Sequence, residues 1–220
     1  MKKALLIVPL LAAAAWPVQA GLFITEVDPA GSGASYGADW FELTNTGPVA
    51  IDITGWKMDD NSNSFSLAVP LRNVTSIAAG QSVIFFEGTA SGTTDGTIAA
   101  NFESAWFGSN LPGGFTIGAY GGSGVGLSTS GDAVNIFDAS GVLQASVSFS
   151  TAPTGATFDN AAGLNGTAIS QASVAGANGA FVSANTAETG SPGSAVPEPS
   201  ALLAIVGGVG VVFLRRRRLA

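Results

Sequence analysis

The stretch Asp39-Trp40-Phe41-Glu42-Leu43-Thr44-Asn45 carries the strand pattern that decides the fold. Successive side chains of a strand point to opposite faces, so its phenylalanine and leucine share one face, and its tryptophan and glutamate share the other. The following residues, Asn45-Thr46-Gly47-Pro48, are typical of a turn. The stretch therefore predicts a strand over residues 40–44 that ends in a turn.

Short runs of the same kind lie on both sides of this strand. They are Leu22–Val27, Ile51–Trp56, Ser82–Glu87, Ala133–Phe137 and Val142–Phe149. The last two are joined by Asp138-Ala139-Ser140-Gly141, which has turn chemistry, and they predict a hairpin. No window shows a sustained helical period with caps. These runs predict an all-β sandwich or barrel, in which the large ring of Trp56 packs between sheets.

The first 20 residues predict a secretory signal peptide. Lys2-Lys3 is a basic start, Ala4–Ala15 is apolar, and Val18-Gln19-Ala20 is a small-x-small site before Gly21. Cleavage is expected between Ala20 and Gly21. The chain contains no cysteine, which excludes lipoprotein anchoring and disulfides. We therefore divide it into a signal peptide at 1–20, a domain at 21–194 and a tail at 195–220.

The tail combines a short motif, an apolar run and a basic cluster. Pro197-Glu198-Pro199 precedes the uncharged run Ala201–Leu214, which is followed by Arg215, Arg216, Arg217 and Arg218. As a helix the run is roughly 21 Å long, less than the roughly 30 Å hydrocarbon core, so it predicts a short transmembrane helix that anchors weakly. The arginines are expected to stop transfer and to stay in the cytoplasm.

The same three elements, in this order at the chain end, resemble the PEP-CTERM sorting signal of Gram-negative bacteria. The resemblance implies recognition by an exosortase, a membrane transpeptidase-like protease. It implies that the helix is removed after transient insertion into the inner membrane and that the rest is released or transferred. The expected location is the cell surface or the extracellular matrix, reached by the secretory route.

Six motifs of the domain resemble the lamin tail domain, an immunoglobulin-like antiparallel β-sandwich. They are Ile24–Val27, Asp39–Asn45, Ile51–Trp56, Ile77–Val83, Leu127–Val134 and Ser191-Pro192-Gly193. Two regions depart from the family pattern. Phe102–Gly126 is a long glycine-rich insertion, and Thr151–Glu188 matches only loosely. Residues 155–185 could form the last strands or a low-complexity linker.

The charge and the missing residue types exclude several functions. Lys57 and Arg72 are the only basic residues between Gly21 and Ala195, so this segment is more acidic than the −7 of the whole chain. An acidic surface disfavours nucleic acid as a partner. The chain has no histidine, which removes the commonest general base and histidine-dependent nucleophilic machinery. We predict no catalytic residues, cofactor or metal site.

Two alternatives rest on carboxylates. Glu26 with Asp28, or Asp39 with Glu42, could meet across neighbouring strands and provide the two carboxyl groups that a glycosidase needs. Roles in the fold, as hydrogen-bond acceptors at strand ends and turns, explain the same residues more simply.

The other alternative is a calcium site. Asp59, Asn61 and Asn63 have the spacing of the start of an EF-hand loop. However, Ser64 stands at the glycine position and Pro70 at the bidentate glutamate position. A turn rich in Asp and Asn between two strands explains the pattern more simply. The sequence thus favours a secreted, non-catalytic module associated with exopolysaccharide, and the alternative is an extracellular hydrolase or calcium-dependent binding module.

Overall fold

The computed structural model describes residues 21–122 and 124–194. Within this part of the chain, no helix has the length and apolar character that a membrane span requires. The predicted signal peptide, the motif Pro197-Glu198-Pro199, the short transmembrane helix and the arginine cluster lie outside the described residues.

The described residues form fourteen strands, one α-helix and one turn of 3-10 helix at Gly31–Gly33. The strands are β1 Leu22–Asp28, β2 Trp40–Asn45, β3 Ile51–Asp52, β4 Lys57–Asp59, β5 Val69–Pro70, β6 Ser76–Ile77, β7 Ser82–Glu87, β8 Ile117–Tyr120, β9 Asp132–Phe137, β10 Leu143–Phe149, β11 Phe158–Asp159, β12 Thr167–Ile169, β13 Phe181–Val182 and β14 Thr189–Gly190. The helix α1 spans Asp95–Phe107.

Two five-stranded sheets form the sandwich. Their orders are β11-β1-β2-β7-β8 and β12-β10-β9-β4-β5, and two two-stranded sheets, β13-β14 and β3-β6, accompany them. The predicted β-sandwich is confirmed, but the prediction of purely antiparallel sheets is wrong. The edge strand β8 pairs parallel to β7, and the edge strand β12 pairs parallel to β10. Both edge strands can pair in parallel because a long connection, rather than a tight hairpin, precedes each of them.

The apolar sides of the two large sheets face each other. From β2, Phe41 and Leu43 lie in this core, together with Trp56 and the inward residues of the β9–β10 hairpin. The predicted hairpin is therefore present, with Val134, Ile136, Ala145 and Val147 buried. Burial of this apolar surface is the main stabilising contribution to such a fold.

The predicted strand at 51–56 is only partly present. β3 has two residues, and the chain then turns, with Trp56 N–H donating to the Ile53 carbonyl at 3.1 Å. Gly55 has a φ of 77°, a left-handed conformation that glycine adopts at little cost. The turn ends β3 and directs the chain into β4, which belongs to the second five-stranded sheet.

The helix α1 was not predicted. It covers the outer face of the first sheet, where Phe102 and Trp106 pack against Trp40 with ring centroids 5.4 Å and 5.8 Å apart. Its inward residues, Ile98, Phe102 and Ala105, follow the spacing of a helical face. The pattern is weak in sequence because the neighbouring positions are small residues, and because the helix crosses the start of the glycine-rich insertion.

The region of residues 155–190 contributes strands to both sheets. β11 pairs with β1, placing Phe158 opposite Val27, and β12 pairs with β10. Phe158 and Ile169 from this region are buried in the sandwich core. Of the two possibilities that the sequence left open here, the structure therefore shows last strands that are packed into the domain.

Candidate functional site: a buried carboxylate face

Three acidic residues form one row across the outer face of the first sheet. Asp159 of β11 is opposite Glu26 of β1, and Glu26 is opposite Glu42 of β2. Directly opposed residues of antiparallel strands point to the same face. Glu26 and Glu42 are only 0% and 1% exposed. The structure therefore places two neighbouring glutamates inside the domain.

Glu26 and Glu42 accept hydrogen bonds from hydroxyl and amide groups. Glu26 Oε1 accepts from Thr157 Oγ1 at 2.5 Å and from the Ser191 amide at 2.7 Å. Glu42 Oε1 accepts from Thr25 Oγ1 at 2.7 Å, and Oε2 accepts from the Gly193 amide at 2.6 Å. Both side chains are thus engaged within the domain rather than presented to solvent.

The segment above these glutamates is Glu188–Ser194, which we call the strap. The Ser194 amide donates to the Ser191 carbonyl at 2.9 Å, and Gly193 has a φ of 76°. Proline followed by glycine at the two central positions is typical of a type II turn. Gly190 is required by close approach, because a Cβ there would lie 2.5 Å from Glu26 Oε1 and 2.8 Å from Trp106 Cη2. The Ser-Pro-Gly sequence therefore shapes the strap to fit over the two glutamates.

A second carboxyl pair lies at the start of the strap. The Tyr36 hydroxyl lies 2.9 Å from Asp28 Oδ2 and 3.0 Å from Glu188 Oε2. Trp40 Nε1 donates to the same tyrosine oxygen at 3.1 Å. One hydroxyl carries one proton and donates to one acceptor, so a second proton must lie on one of the two carboxyl groups.

Burial changes the acidity of all four carboxyl groups in the same direction. Removal from water raises the pKa of Glu26 well above its usual range, and the neighbouring Glu42 raises it further. Burial raises the pKa of Glu42 to about 7. Burial and the nearby Asp28 raise the pKa of Glu188 to about 8, and burial raises the pKa of Asp28. These groups therefore hold protons closer to neutral pH than ordinary carboxyl groups do.

A contrasting carboxylate lies at the start of α1. Asp95 Oδ2 accepts from Arg72 Nε at 2.7 Å, and Oδ1 accepts from the same guanidinium at 3.1 Å. This is the salt bridge found in the described part of the chain. Arg72 also donates to the carbonyls of Thr89 and Gly121, and so it joins the helix to the end of β8.

The predicted carboxylate pairs are arranged differently in the structure. Glu26 pairs with Glu42 rather than with Asp28, and Asp28 pairs with Glu188. The Asp39 side chain instead accepts from the Ser32 amide at 2.6 Å. Burial raises the pKa of Asp39 to about 6. The interpretation as fold residues that accept hydrogen bonds agrees with these contacts.

The stretch Asp59–Asn63 forms a turn closed by its own groups. Asp59 Oδ2 accepts from Ser62 Oγ at 2.6 Å and from the Ser64 amide at 2.7 Å. In the residues that the structure covers, no group of three or more acidic side chains is arranged to hold a metal ion. The φ of 47° at Asn63 is typical of a turn residue.

Comparison with known families agrees with this architecture. The sequence profile of the lamin tail domain family matches residues 17–151. The chain belongs to the lamin tail domain family. No curated protein matches the chain. The lamin tail domain is a non-enzymatic fold type, and the profile match spans the strands that carry Glu26 and Glu42. The strap lies beyond the matched residues, although it closes over these two glutamates.

Two important residues of this face were not identified from sequence. Glu188 lay in the loosely matching region, and no motif marked Tyr36. The closing Ser191-Pro192-Gly193 was recognised as a motif, but its contact partners were not predicted. A turn signal gives the shape of a segment and not the distant residues on which it lies.

Proposed function

We propose that this lamin tail domain is a secreted, non-catalytic module of the cell surface or extracellular matrix, sorted by an exosortase through the tail at 195–220. The observation that supports a non-catalytic role best is the burial of Glu26 and Glu42 beneath the strap. A carboxyl group that acts on a substrate must reach the reacting atoms. These two are engaged instead with hydroxyl and amide donors of the domain itself.

The matrix partner that suits this domain is a hydrated polysaccharide. The segment between Gly21 and Ala195 carries many carboxylates and only two basic residues, so phosphate-rich polymers are repelled. Retention of the secreted protein on exopolysaccharide from the producing cells tests this part of the proposal. Absence of retention on both exopolysaccharide and intact cells would overturn it.

The sorting role is tested through the tail. Replacement of Pro197, Glu198 and Pro199 by alanine should leave the protein in the inner membrane with its arginines attached. Pro48→Ala is the matched control, because it removes a proline from an exposed turn outside the tail. Intact-mass measurement of the secreted form decides the result, and a secreted protein that still includes Arg218 would contradict exosortase processing.

The alternative is a hydrolase or a calcium-dependent binding module that uses Glu42 or Asp59. If either carboxylate were catalytic, Glu42→Ala or Asp59→Ala would abolish a hydrolytic activity that the unchanged protein shows. A folded Glu42→Ala variant with undiminished hydrolysis would exclude a catalytic role for that residue.

A further inference from the structure

The strap Glu188–Ser194 includes β14, which pairs with β13. On either side of β14 the strap contacts carboxyl groups whose hydrogen-bond partners among the described residues are all uncharged or acidic. Its first residue, Glu188, shares the Tyr36 hydroxyl with Asp28. Its later residues donate backbone amides to Glu26 and Glu42. In each place two carboxyl groups are close together in a buried environment, where two negative charges would repel strongly.

The geometry requires a proton at the first of these places. Trp40 Nε1 already occupies one lone pair of the Tyr36 oxygen, and the tyrosine proton serves one carboxylate. Both carboxyl groups lie at hydrogen-bond distance from this oxygen, so the one that does not receive the tyrosine proton forms a hydrogen bond there only if it is itself protonated. If both Asp28 and Glu188 were ionised, one of them would face the tyrosine oxygen with no proton between them.

Within the described residues, neither basic side chain contacts the carboxyl groups under the strap. The titratable groups on the elements that form or cover this face are Glu26 and Asp28 on β1, Glu42 on β2, Glu103 on α1, Asp159 on β11, Tyr36 and Asp39 in the loop after β1, and Glu188 in the strap. Glu87 of β7 follows Phe86 on the opposite face of the strand, and its carboxylate lies next to Gly126. Asp159 accepts from Asn178 Nδ2 at 2.8 Å. The two cations of the domain are engaged at other places, Lys57 over the Phe65 ring and Arg72 with Asp95.

We propose that the strap is a proton-dependent closure. It lies on the sheet while each of two carboxyl pairs, Asp28 with Glu188 and Glu26 with Glu42, holds a proton, and it opens when these pairs ionise. Burial raises the pKa of all four groups, which agrees with this direction, and it outweighs the strap amides of Ser191 and Gly193, whose hydrogen bonds lower the pKa of Glu26 and Glu42. Opening would uncover the two glutamates and the edge of Trp106 that lies next to Gly190. The closure does not depend on how the tail is processed.

Hydrogen exchange of the full chain tests the proposal at single amides. The probes are the Ser191 and Gly193 amides, which donate to Glu26 and Glu42. The reference is the set of amides in the β9–β10 hairpin. Protection factors correct for the intrinsic pH dependence of exchange. We expect protection of the two strap amides to fall by about tenfold or more between pH 6 and pH 9, while the hairpin amides change little, since one pKa unit is a tenfold change in ionisation.

Neutral isosteres of the carboxyl groups identify the cause. Glu188→Gln and Glu42→Gln should each reduce the pH dependence of strap protection and preserve protection at pH 9. Glu103→Gln, a matched change on α1, should leave the wild-type pH profile. Glu188 is partly exposed, so its variant remains informative if Glu42→Gln does not fold. Equal protection of the strap amides at pH 6 and pH 9, or an unchanged pH profile in Glu188→Gln, would overturn the proposal.

Discussion

The domain has two carboxylate regions, one at Asp95 and one at Glu26 and Glu42, and their negative charge is compensated in different ways. Asp95 meets a guanidinium with two hydrogen bonds, whereas Glu26 and Glu42 meet hydroxyl groups, amides and each other. The arginine partner stays charged throughout the physiological pH range, so its attraction for the carboxylate does not depend on a proton. Neutral donors only partly offset burial, and so the stability of the second region depends on pH.

The largest effect is expected from pH itself. Raising the pH from 5 to 9 should lower the free energy of unfolding by more than about 3 kcal/mol, because Glu42, with a pKa raised from 4.5 to about 7, contributes about 2–3 kcal/mol and the buried Glu26 adds to it. The folded state keeps a proton that the unfolded chain releases near pH 4.5, so this stabilisation is complete below that pH and is lost as the pH rises through 7. Glu26 acts in the same direction.

Denaturant titrations at fixed pH values measure this effect. The raised pKa of Glu188, about 8, should extend the decline beyond the range set by Glu42. A stability that stays constant or rises between pH 5 and pH 8 would contradict the assignment of these groups.

Removal of the charged pair should produce the next largest loss. Asp95→Ala leaves the Arg72 guanidinium without its carboxylate, and loss of one partner of a buried pair costs about 3–5 kcal/mol. The Arg72 side chain is 20% exposed, so we expect a loss near the lower value. The loss in the free energy of unfolding should be equal at pH 6 and pH 9, whereas the contribution of Glu26 and Glu42 to stability should change with pH.

A matched change distinguishes this loss from a general effect of removing an aspartate. Asp52→Ala alters an exposed carboxylate and should change the free energy of unfolding by less than about 1 kcal/mol. Equal losses from the two variants would mean that the Arg72–Asp95 pair contributes little to stability.

A smaller effect should come from one hydroxyl donor. Thr157→Val removes the group that donates to Glu26 Oε1, while it keeps the branched shape of the side chain. The cost should be about 1 kcal/mol while Glu26 is protonated and about 2 kcal/mol once it is ionised, because a hydrogen bond to a charged acceptor is stronger. Thr129→Val, on an exposed loop, is the control. The same cost at pH 5 and pH 9 would indicate that Glu26 does not change its charge in this range.

The difference between the two regions also explains what the sequence could predict. Strand alternation gave the bounds of β7 and, within one residue at each end, those of β2 and β9, because alternation is a local property of neighbouring residues. It also placed Phe41 and Trp40 on opposite faces. The apolar core was predictable because its residues repeat along each strand.

The carboxylate face was not predictable in the same way. Ser191 and Glu26 are separated by 165 positions, and Glu188 and Tyr36 by 152. Contacts of this kind arise from the path of the chain over the sheet, and no local pattern records them. The helix α1 was missed for a related reason, since its inward aromatics gain their partners only from the face of the sheet that it covers.

Calcium should have the smallest effect on stability. It tests whether Asp59 is paired with a cation, as Asp95 is, or only with neutral donors, as Glu26 and Glu42 are. Asp59 is buried, and its Oδ1 atom accepts no hydrogen bond from the described residues, which is the one feature that favours a cation. Its other oxygen already closes the turn with Ser62 and Ser64. We expect about 10 mM calcium to leave the unfolding midpoint unchanged. A site with a dissociation constant of about 0.1 mM would instead stabilise the domain by about 2.7 kcal/mol. Such an increase in the wild-type protein, absent in Asp59→Asn, would show that a metal ion neutralises Asp59, in addition to the arginine at Asp95 and the neutral donors at the two glutamates.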